Sequence, residues 1–445
     1  MTREQAILAF IDELSPYQLH GFLLTLRGET LAEGSYAPFA ADEMHRMYSV
    51  SKSVVSLAIG MLADDGALSL DDRICDHFPE WVDGSTPELL RQVTIRDMLR
   101  MATCYDRSMY TALGCSDWTR PFFTGQPSHV PGTLFSYDTS ASQVMCALVE
   151  KLTGGDILSF MDRRLFQPIG MTGPRRWLRD GAGVSQGGTG LLMTLRDFSR
   201  LANFCMSDGM GLISEDYLRE ATGWQIATGE RAAREERYGY GYQFWMMREG
   251  FSMYGLGGQM ALCLPGEGLA LCTTADMICD GAGVQPLYDA FFRHLKGIAS
   301  LPSDPEDAEA LRRRLASLRV APLEGATRAP VRIALTQQTL PFAGLEIAPR
   351  GVTFTMRSGD AFTLPCAAGA WERGVFPASQ EACITSGAWR SDTRYELLCE
   401  LCGDFNACMK LFVSLSGSRA SVRVVSSLWE FQSGWSGQDW GNVME

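Results

Sequence analysis

Five histidines in 445 residues, His20, His45, His77, His129 and His294, are too few and too unevenly spaced to suggest a histidine metal site. No run approaches the roughly 20 apolar residues that a membrane span requires. Basic residues are outnumbered, 39 Lys and Arg against 52 Asp and Glu, and the net charge of -13 repels nucleic-acid phosphates and anionic lipid surfaces. Neither nucleic acid nor membrane is an expected partner. The N-terminal stretch MTREQAILAFIDELSPYQLHGF lacks a basic region followed by an apolar block and a cleavage site, so the expectation is a cytoplasmic protein. There is also no internal repeat and no low-complexity tract.

Cysteine, by contrast, is plentiful: thirteen, an odd number, scattered through apolar stretches such as VMCALV and ALCLPG. They read as buried free thiols of a reducing compartment. Cys399, Cys402 and Cys408 lie close enough in sequence to hold zinc if Cys383 joined them, but no second paired motif completes a structural site, and thiols on adjacent strands and a turn are the simpler reading. No metal and no cofactor are expected.

At 46% hydrophobic and 20% charged, the chain is an ordinary globular protein, long enough for two domains. Helix signals dominate residues 50 to 300, with Thr94, Ser140 and Thr194 as N-caps of apolar stripes and Gly154 and Gly209 at helix ends. Strand patterns flank this region. GFLLTLRGETLAEGSYA precedes it; YGYGYQFWMM, SMYGLGGQMALCLPG and GLALCTTAD close it, before a helical LYDAFFRHLKGI. The order implies one sheet fed from both ends with a helical insertion, an α+β architecture. We expect a first domain over residues 1–298, a charged linker over 299–328 with a short helix capped by Asp304 and Pro305, and a small antiparallel β domain over 329–445. Trp371, Trp389, Trp429, Trp435 and Trp440 are read as filling a small barrel core.

The chemistry concentrates at MYSVSKSVVSLAIGML, residues 47–62. In a helix starting near Val50, Ser49 and Lys52 share a face, whereas Ser51 and Lys52 do not. A helix N-terminus favours negative charge, and desolvation lowers the proton affinity of an ammonium, so Lys52 can serve Ser49 as a base. A capped core helix with a snorkelling lysine is the plainer alternative. PGTLFSYDTSASQVMCALVEKLTG places Tyr137 just before a second helix, where a short loop can hold its hydroxyl for proton transfer; packing against that helix is the alternative. In YGLGGQMALCLPG, three glycines within four residues suggest close backbone approach at the start of an edge strand with a free N–H, or else a bulge. Lys151-Leu-Thr-Gly154 reads as a helix C-cap, and GAGVSQGG as a surface loop near the pocket rather than a phosphate loop. His45 is taken as structural.

Taken in order and spacing, these stretches resemble the serine β-lactamase and penicillin-binding-protein superfamily, specifically the class C β-lactamase-like hydrolases that include esterases and D-amino-acid peptidases. YSVSKS looks like the nucleophile motif, PGTLFSYDTSASQVMCALVEKLTGGD the second-motif region, and GYGYQFW with GLGGQMALCLP the last strands with the third motif; the resemblance spans roughly residues 18 to 297. It implies that Ser49 is acylated, that Lys52 and Tyr137 act as general base and acid, and that the backbone N–H groups of Ser49 and Gln259 form an oxyanion hole. Thr139, Leu256, Gly257 and Gly258 would face substrate. Two departures stand out: Thr139 replaces the Asn of Tyr-x-Asn, and Leu256-Gly257-Gly258 replaces Lys-Thr-Gly or His-x-Gly. Without that cation a substrate carboxylate loses a bond of about 1.5–3 kcal/mol, so weak or no β-lactamase or DD-peptidase activity is expected and a small ester, amide or short peptide is the expected substrate. A fold-retaining ligand-binding or scaffold protein is the alternative. Lidding the pocket, forming a homodimer and binding another partner all stay open for the C-terminal domain.

Overall fold

The computed structural model describes residues 1–109, 116–278, 283–377, 379–426 and 435–444. The chain divides into two compact units, one formed by residues 1–277 with 282–318 and the other by 278–281 with 319–445.

In the first unit, β1 (Leu19–Leu26) and β2 (Glu29–Ser35) form a hairpin, and β1 also pairs antiparallel with the far end of the unit, Leu24 opposite Leu271. A short β3 (Met44–Arg46) leads to the helix that begins at Val50 and pairs, with β4 (Arg176–Trp177), on either side of β5 (Leu191–Thr194). The late strands are β6 (Trp245–Met246), β7 (Phe251–Gly255), β8 (Gln259–Leu264) and β9 (Leu269–Ala275), and the six-stranded sheet runs β2-β1-β9-β8-β7-β6. Strands from both ends of the unit therefore meet in one antiparallel sheet, with the helices inserted between them.

Two departures from expectation follow from this order. The strand beginning at Gln259 lies inside the sheet, not at its edge, and the glycines before it form the hairpin turn between β7 and β8. Of YGYGYQFWMM, only Trp245–Met246 is strand.

Helix α1 (Arg3–Glu13) carries a capping box between Thr2 and Gln5. Helix α2 (Val50–Asp64) is buried from Val50 through Leu62, so its apolar side chains contribute roughly 1.5–3 kcal/mol each by leaving water. Helix α3 (Thr139–Thr153) is capped by Asp138, whose side chain accepts from the Ser140 N–H, rather than by Ser140 itself; its C-terminus closes on Gly154 at φ 69°. Helix α4 (Leu195–Cys205) is capped by Thr194, and Gly209 lies beyond its end in a turn. Helix α5 (Pro305–Ala316), capped by Asp304, packs on α1.

The second unit is a single antiparallel sheet of ten strands. Its strands are β10 (Val331–Leu335), β11 (Phe342–Ala348), β12 (Gly351–Met356), β13 (Ala361–Pro365), β14 (Glu372–Phe376), β15 (Glu381–Ser391), β16 (Arg394–Cys402), β17 (Asn406–Ser416), β18 (Arg419–Ser426) and β19 (Gly437–Met444). Their order is β13-β12-β11-β10-β19-β18-β17-β16-β15-β14, and a bridge between Ala367 and Ala370 brings the two end strands together, so the sheet is barrel-like and nearly closed. Trp389 and Trp435 fill its core, Trp371 is half-buried with its indole N–H on the Val320 carbonyl, and Trp440 is 52% exposed, outside the role expected of it. Trp429 lies outside the described residues.

Among the described residues no helix is long and apolar enough to cross a membrane, and no group of three or more His, Cys, Asp or Glu is placed to hold a metal ion. Among the described residues ten cysteines form no disulfide, Cys383 and Cys399 among them, whereas Cys408 is disulfide-bonded, contrary to the expectation of free thiols throughout.

Candidate active site

The chain enters α2 through a strained step. Tyr48 has φ 46°, a left-handed conformation costly for a side chain with a Cβ, and Ser49 follows at the N-cap without capping the helix through its own hydroxyl. The other serines of the helix are consumed elsewhere. Ser51 Oγ accepts from the Leu191 N–H at 3.0 Å, Ser53 Oγ donates to the Gln243 carbonyl at 2.7 Å, and Ser56 Oγ meets the Tyr217 hydroxyl at 3.0 Å. Ser49 is the one whose hydroxyl meets Lys52, with Lys52 Nζ 3.0 Å from Ser49 Oγ.

Lys52 is 1% exposed, which rules out snorkelling. Its Nζ also donates to the Gly188 carbonyl at 2.7 Å and lies 5.1 Å from the centre of the Tyr137 ring. Tyr137 is hydrogen-bonded to Ser49, and its ring stacks on Trp245 at 5.4 Å. Burial pushes the Tyr137 hydroxyl well above its ordinary proton affinity, against the lowering bond from Ser49, and the Glu236 carboxylate raises it further. At neutral pH the group is therefore a proton donor, not a phenolate.

Gly188 was missed by sequence reasoning, which treated GAGVSQGG as surface loop. Residues 181–183 are exposed, but Ser185, Gly187 and Gly188 are buried. Two side chains clamp this strip. Gln143, from α3, accepts from the Gly187 N–H at 3.0 Å and donates to the Ser185 carbonyl at 3.2 Å. Arg46, from β3, is 3% exposed, donates through Nε to the Thr189 carbonyl at 2.9 Å and lies 4.8 Å over the Tyr48 ring. One buried guanidinium thus touches both the strained step before Ser49 and the strip that presents a carbonyl to Lys52. The available signal was the glycine doublet itself: a Cβ at Gly187 would lie 2.3 Å from Cys146 Cβ, and one at Gly188 2.4 Å from Thr139 Cγ2.

Thr139 is half-buried at the first position of α3, with its methyl against Gly188 and its N–H donated to Ser108 Oγ at 2.8 Å. Asp138, beside it, is fully buried, and burial pushes its carboxyl up to about 6 despite bonds from Ser140. The turn Leu256–Gly258 follows Gly255, where a Cβ would come 2.1 Å from the carbonyl oxygen of Met47, two residues before Ser49. Leu256 is half-buried; Gly257 and Gly258 have φ 85° and 102°, which only glycine adopts readily. The Gln259 side chain is spent structurally, donating to the Ala275 carbonyl at 2.7 Å and accepting from the Ala275 N–H at 3.2 Å, which leaves its backbone as the part available for chemistry.

His45 is buried beside His20 and Phe39, and burial lowers both imidazoles to about 3, so neither is a base at neutral pH. Lys151 lies in the last turn of α3, which closes on Gly154 as the C-cap reading has it, and binds the His77 carbonyl and Glu80.

The arrangement is a hydroxyl on a helix N-terminus, a buried amine at hydrogen-bond distance from it, and a protonated phenol bonded to it, which is the equipment of covalent acyl transfer. The family model described as Beta-lactamase matches residues 20–275. Esterase EstB of Burkholderia gladioli is 30% identical over 175 residues, 34% of this chain and 43% of that esterase, so the chain spans less than half of this relative's length. Lovastatin esterase of Penicillium rubens is 26% identical over 296 residues, covering 52% of this chain and 73% of its own. Among solved structures, the octameric penicillin-binding protein homologue from Pyrococcus abyssi superposes with a TM-score of 0.52 at 16% identity over 99% of both chains, a likeness of fold.

Proposed function

The chain belongs to the β-lactamase family, and from that premise we propose that it is a serine hydrolase cleaving a small ester or amide through an acyl-enzyme on Ser49. The observation that carries this reading is the 3.0 Å contact between Ser49 Oγ and a buried Lys52. Lys52, as the free amine, takes the Ser49 proton while the Ser49 oxygen attacks the substrate carbonyl. Tyr137, kept protonated by burial, gives its proton to the leaving group as the carbonyl–leaving-group bond breaks, and Lys52 restores it. Water then attacks the ester carbonyl and loses a proton to the same pair, which returns it to Ser49 Oγ as the acyl–oxygen bond breaks and the acid leaves. The N–H groups of Ser49 and Gln259 are assigned to the developing oxyanion, the first aided by the positive end of α2. The names of an esterase of Burkholderia gladioli and the lovastatin esterase of Penicillium rubens support an ester as substrate class. Leu256, at the position where the resemblance to the family implies a cation, supports weak or absent turnover of penicillins.

The test is a panel of short-chain nitrophenyl esters, anilides and a chromogenic β-lactam. Ester or anilide hydrolysis above that of Ser49→Ala is expected. No hydrolysis of any member, together with a ligand that still raises the melting temperature, would favour the scaffold alternative.

A further inference from the structure

Residues 230–237, Glu-Arg-Ala-Ala-Arg-Glu-Glu-Arg, carry six charges, and four of them are consumed within the first unit. Glu230 pairs with Arg237 at 2.8 Å, Arg234 with Asp289 at 2.6 Å, and Glu235 receives Arg248 Nε at 2.9 Å. Among the described residues, the two left without an ion pair or a side-chain hydrogen bond are Arg231 and Glu236, and both are half-buried. Solvent does not explain this alone, because Arg231 Nε is buried with no acceptor while its guanidinium lies 4.8 Å over the Phe135 ring.

Their position is specific. Phe135 meets Trp245 edge-on at 5.8 Å, and Trp245 is the ring on which Tyr137 stacks. Both charges act on the Tyr137 hydroxyl, Glu236 raising its proton affinity and Arg231 lowering it. Burial pushes the Glu236 carboxyl up to about 7 against the lowering charge of Arg231, and among the described residues no ion pair joins the two. Opposite, unpaired charges beside the proton donor of a cleavage reaction match a ligand that carries the complementary pair.

Building on the hydrolase reading above, we propose that Arg231 and Glu236 form a subsite for a zwitterionic amide, Arg231 receiving the carboxylate and Glu236 the ammonium of a dipeptide-like substrate. A carboxylate is then read from the 230–237 segment, not from the β7–β8 turn where Leu256 stands. This narrows the substrate from any small ester or amide to one with charged ends.

The experiment uses phenylalanylalanine in its L,L and D,D forms, each free, N-acetylated, C-terminally amidated and doubly capped, with release of the C-terminal half followed by chromatography. The full-length protein should cleave one free form with kcat/KM at least about tenfold above its doubly capped analogue, with intermediate values for the singly capped ones. Arg231→Gln should erase the difference between free and amidated forms, and Glu236→Gln that between free and acetylated forms. Arg237→Gln, whose charge is paired on the surface, serves as control and should keep both preferences. If Arg231→Gln does not fold, Arg231→Lys should show a partial loss, since it keeps the charge but not the planar fork. Equal rates for free and doubly capped forms, or equal loss of preference in the Arg237→Gln control, would overturn the subsite. If no dipeptide is cleaved while Ser49 still reacts with a fluorophosphonate, the subsite falls and the hydrolase reading stands; an unreactive Ser49 removes both.

Discussion

Two Gly-Gly pairs, one presenting the Gly188 carbonyl to Lys52 and one in the β7–β8 turn, need glycine for different reasons. Gly187 and Gly188 do not adopt positive φ; they are glycine because side-chain atoms of Cys146 and Thr139 stand 2.3 and 2.4 Å from where a Cβ would be. Gly257 and Gly258 have room of 3.1 Å or more around a Cβ, but their φ values of 85° and 102° exclude most residues. The first pair is a matter of space, the second of backbone conformation. The same dipeptide in sequence therefore reports two kinds of constraint, and substitutions at the two should fail in different ways.

The largest effect is expected at Lys52, which donates to the Gly188 carbonyl. Lys52→Ala removes the proposed base and should lower kcat/KM for the best ester by about 10³-fold or more, with little change in KM. Loss of less than tenfold would mean that the amine is structural.

Next comes Gly188→Ala. The added methyl must displace Thr139 or shift the carbonyl that accepts from Lys52 at 2.7 Å, so a fall in kcat of about 10- to 100-fold is expected, with a displaced pH–rate profile. An unchanged pH profile with only a lower melting temperature would show that the carbonyl does not govern Lys52. Gly258→Ala should behave oppositely. Its penalty is conformational, about 1 kcal/mol or somewhat more, and should appear mainly in thermal stability. If the two variants show the same balance of activity and stability loss, the distinction between space and conformation fails.

The smallest effect is a pH-dependent one. The Asp138 carboxyl, held at about 6 in the folded protein, lies above its ordinary value of 3.8, so the folded state binds a proton that the unfolded chain releases. Its contribution is full below pH 4 and is lost as pH rises through 6. Asp138→Asn, which keeps an oxygen for the Ser140 N–H, should flatten that part of the stability curve and raise the melting temperature at pH 8 by a few degrees. A steeper loss of stability between pH 4 and 6 in the variant would reverse the assignment.

What sequence reasoning captured here was local. Ser49 and Lys52 are one helical turn apart, so a spacing rule suffices, and Tyr137 sits at the start of a helix with strong apolar periodicity. The meeting of early and late strands followed from the order of patterns. Gly188 was out of reach because it contacts Lys52 across 136 residues and belongs to no periodic element. Ser140 was taken for the N-cap because Asp138 and Ser140 are equally good by type, and only the fold turned Asp138 toward the Ser140 N–H. In the second unit, glycines and charges such as Gly344, Gly374, Gly387 and Asp439 interrupt the alternation of β11, β14, β15 and β19, so only pairing within a nearly closed sheet defines these strands. Trp440 was assigned to the core by residue type, yet it lies on the outward face of β19.

The central claim is a covalent one, and mass spectrometry tests it most directly. After exposure to a fluorophosphonate or an activated ester, the full-length protein should carry one adduct, mapped to Ser49 by peptide digestion and absent from Ser49→Ala. A protein that takes no adduct, or one labelled equally in Ser49→Ala, would contradict the account.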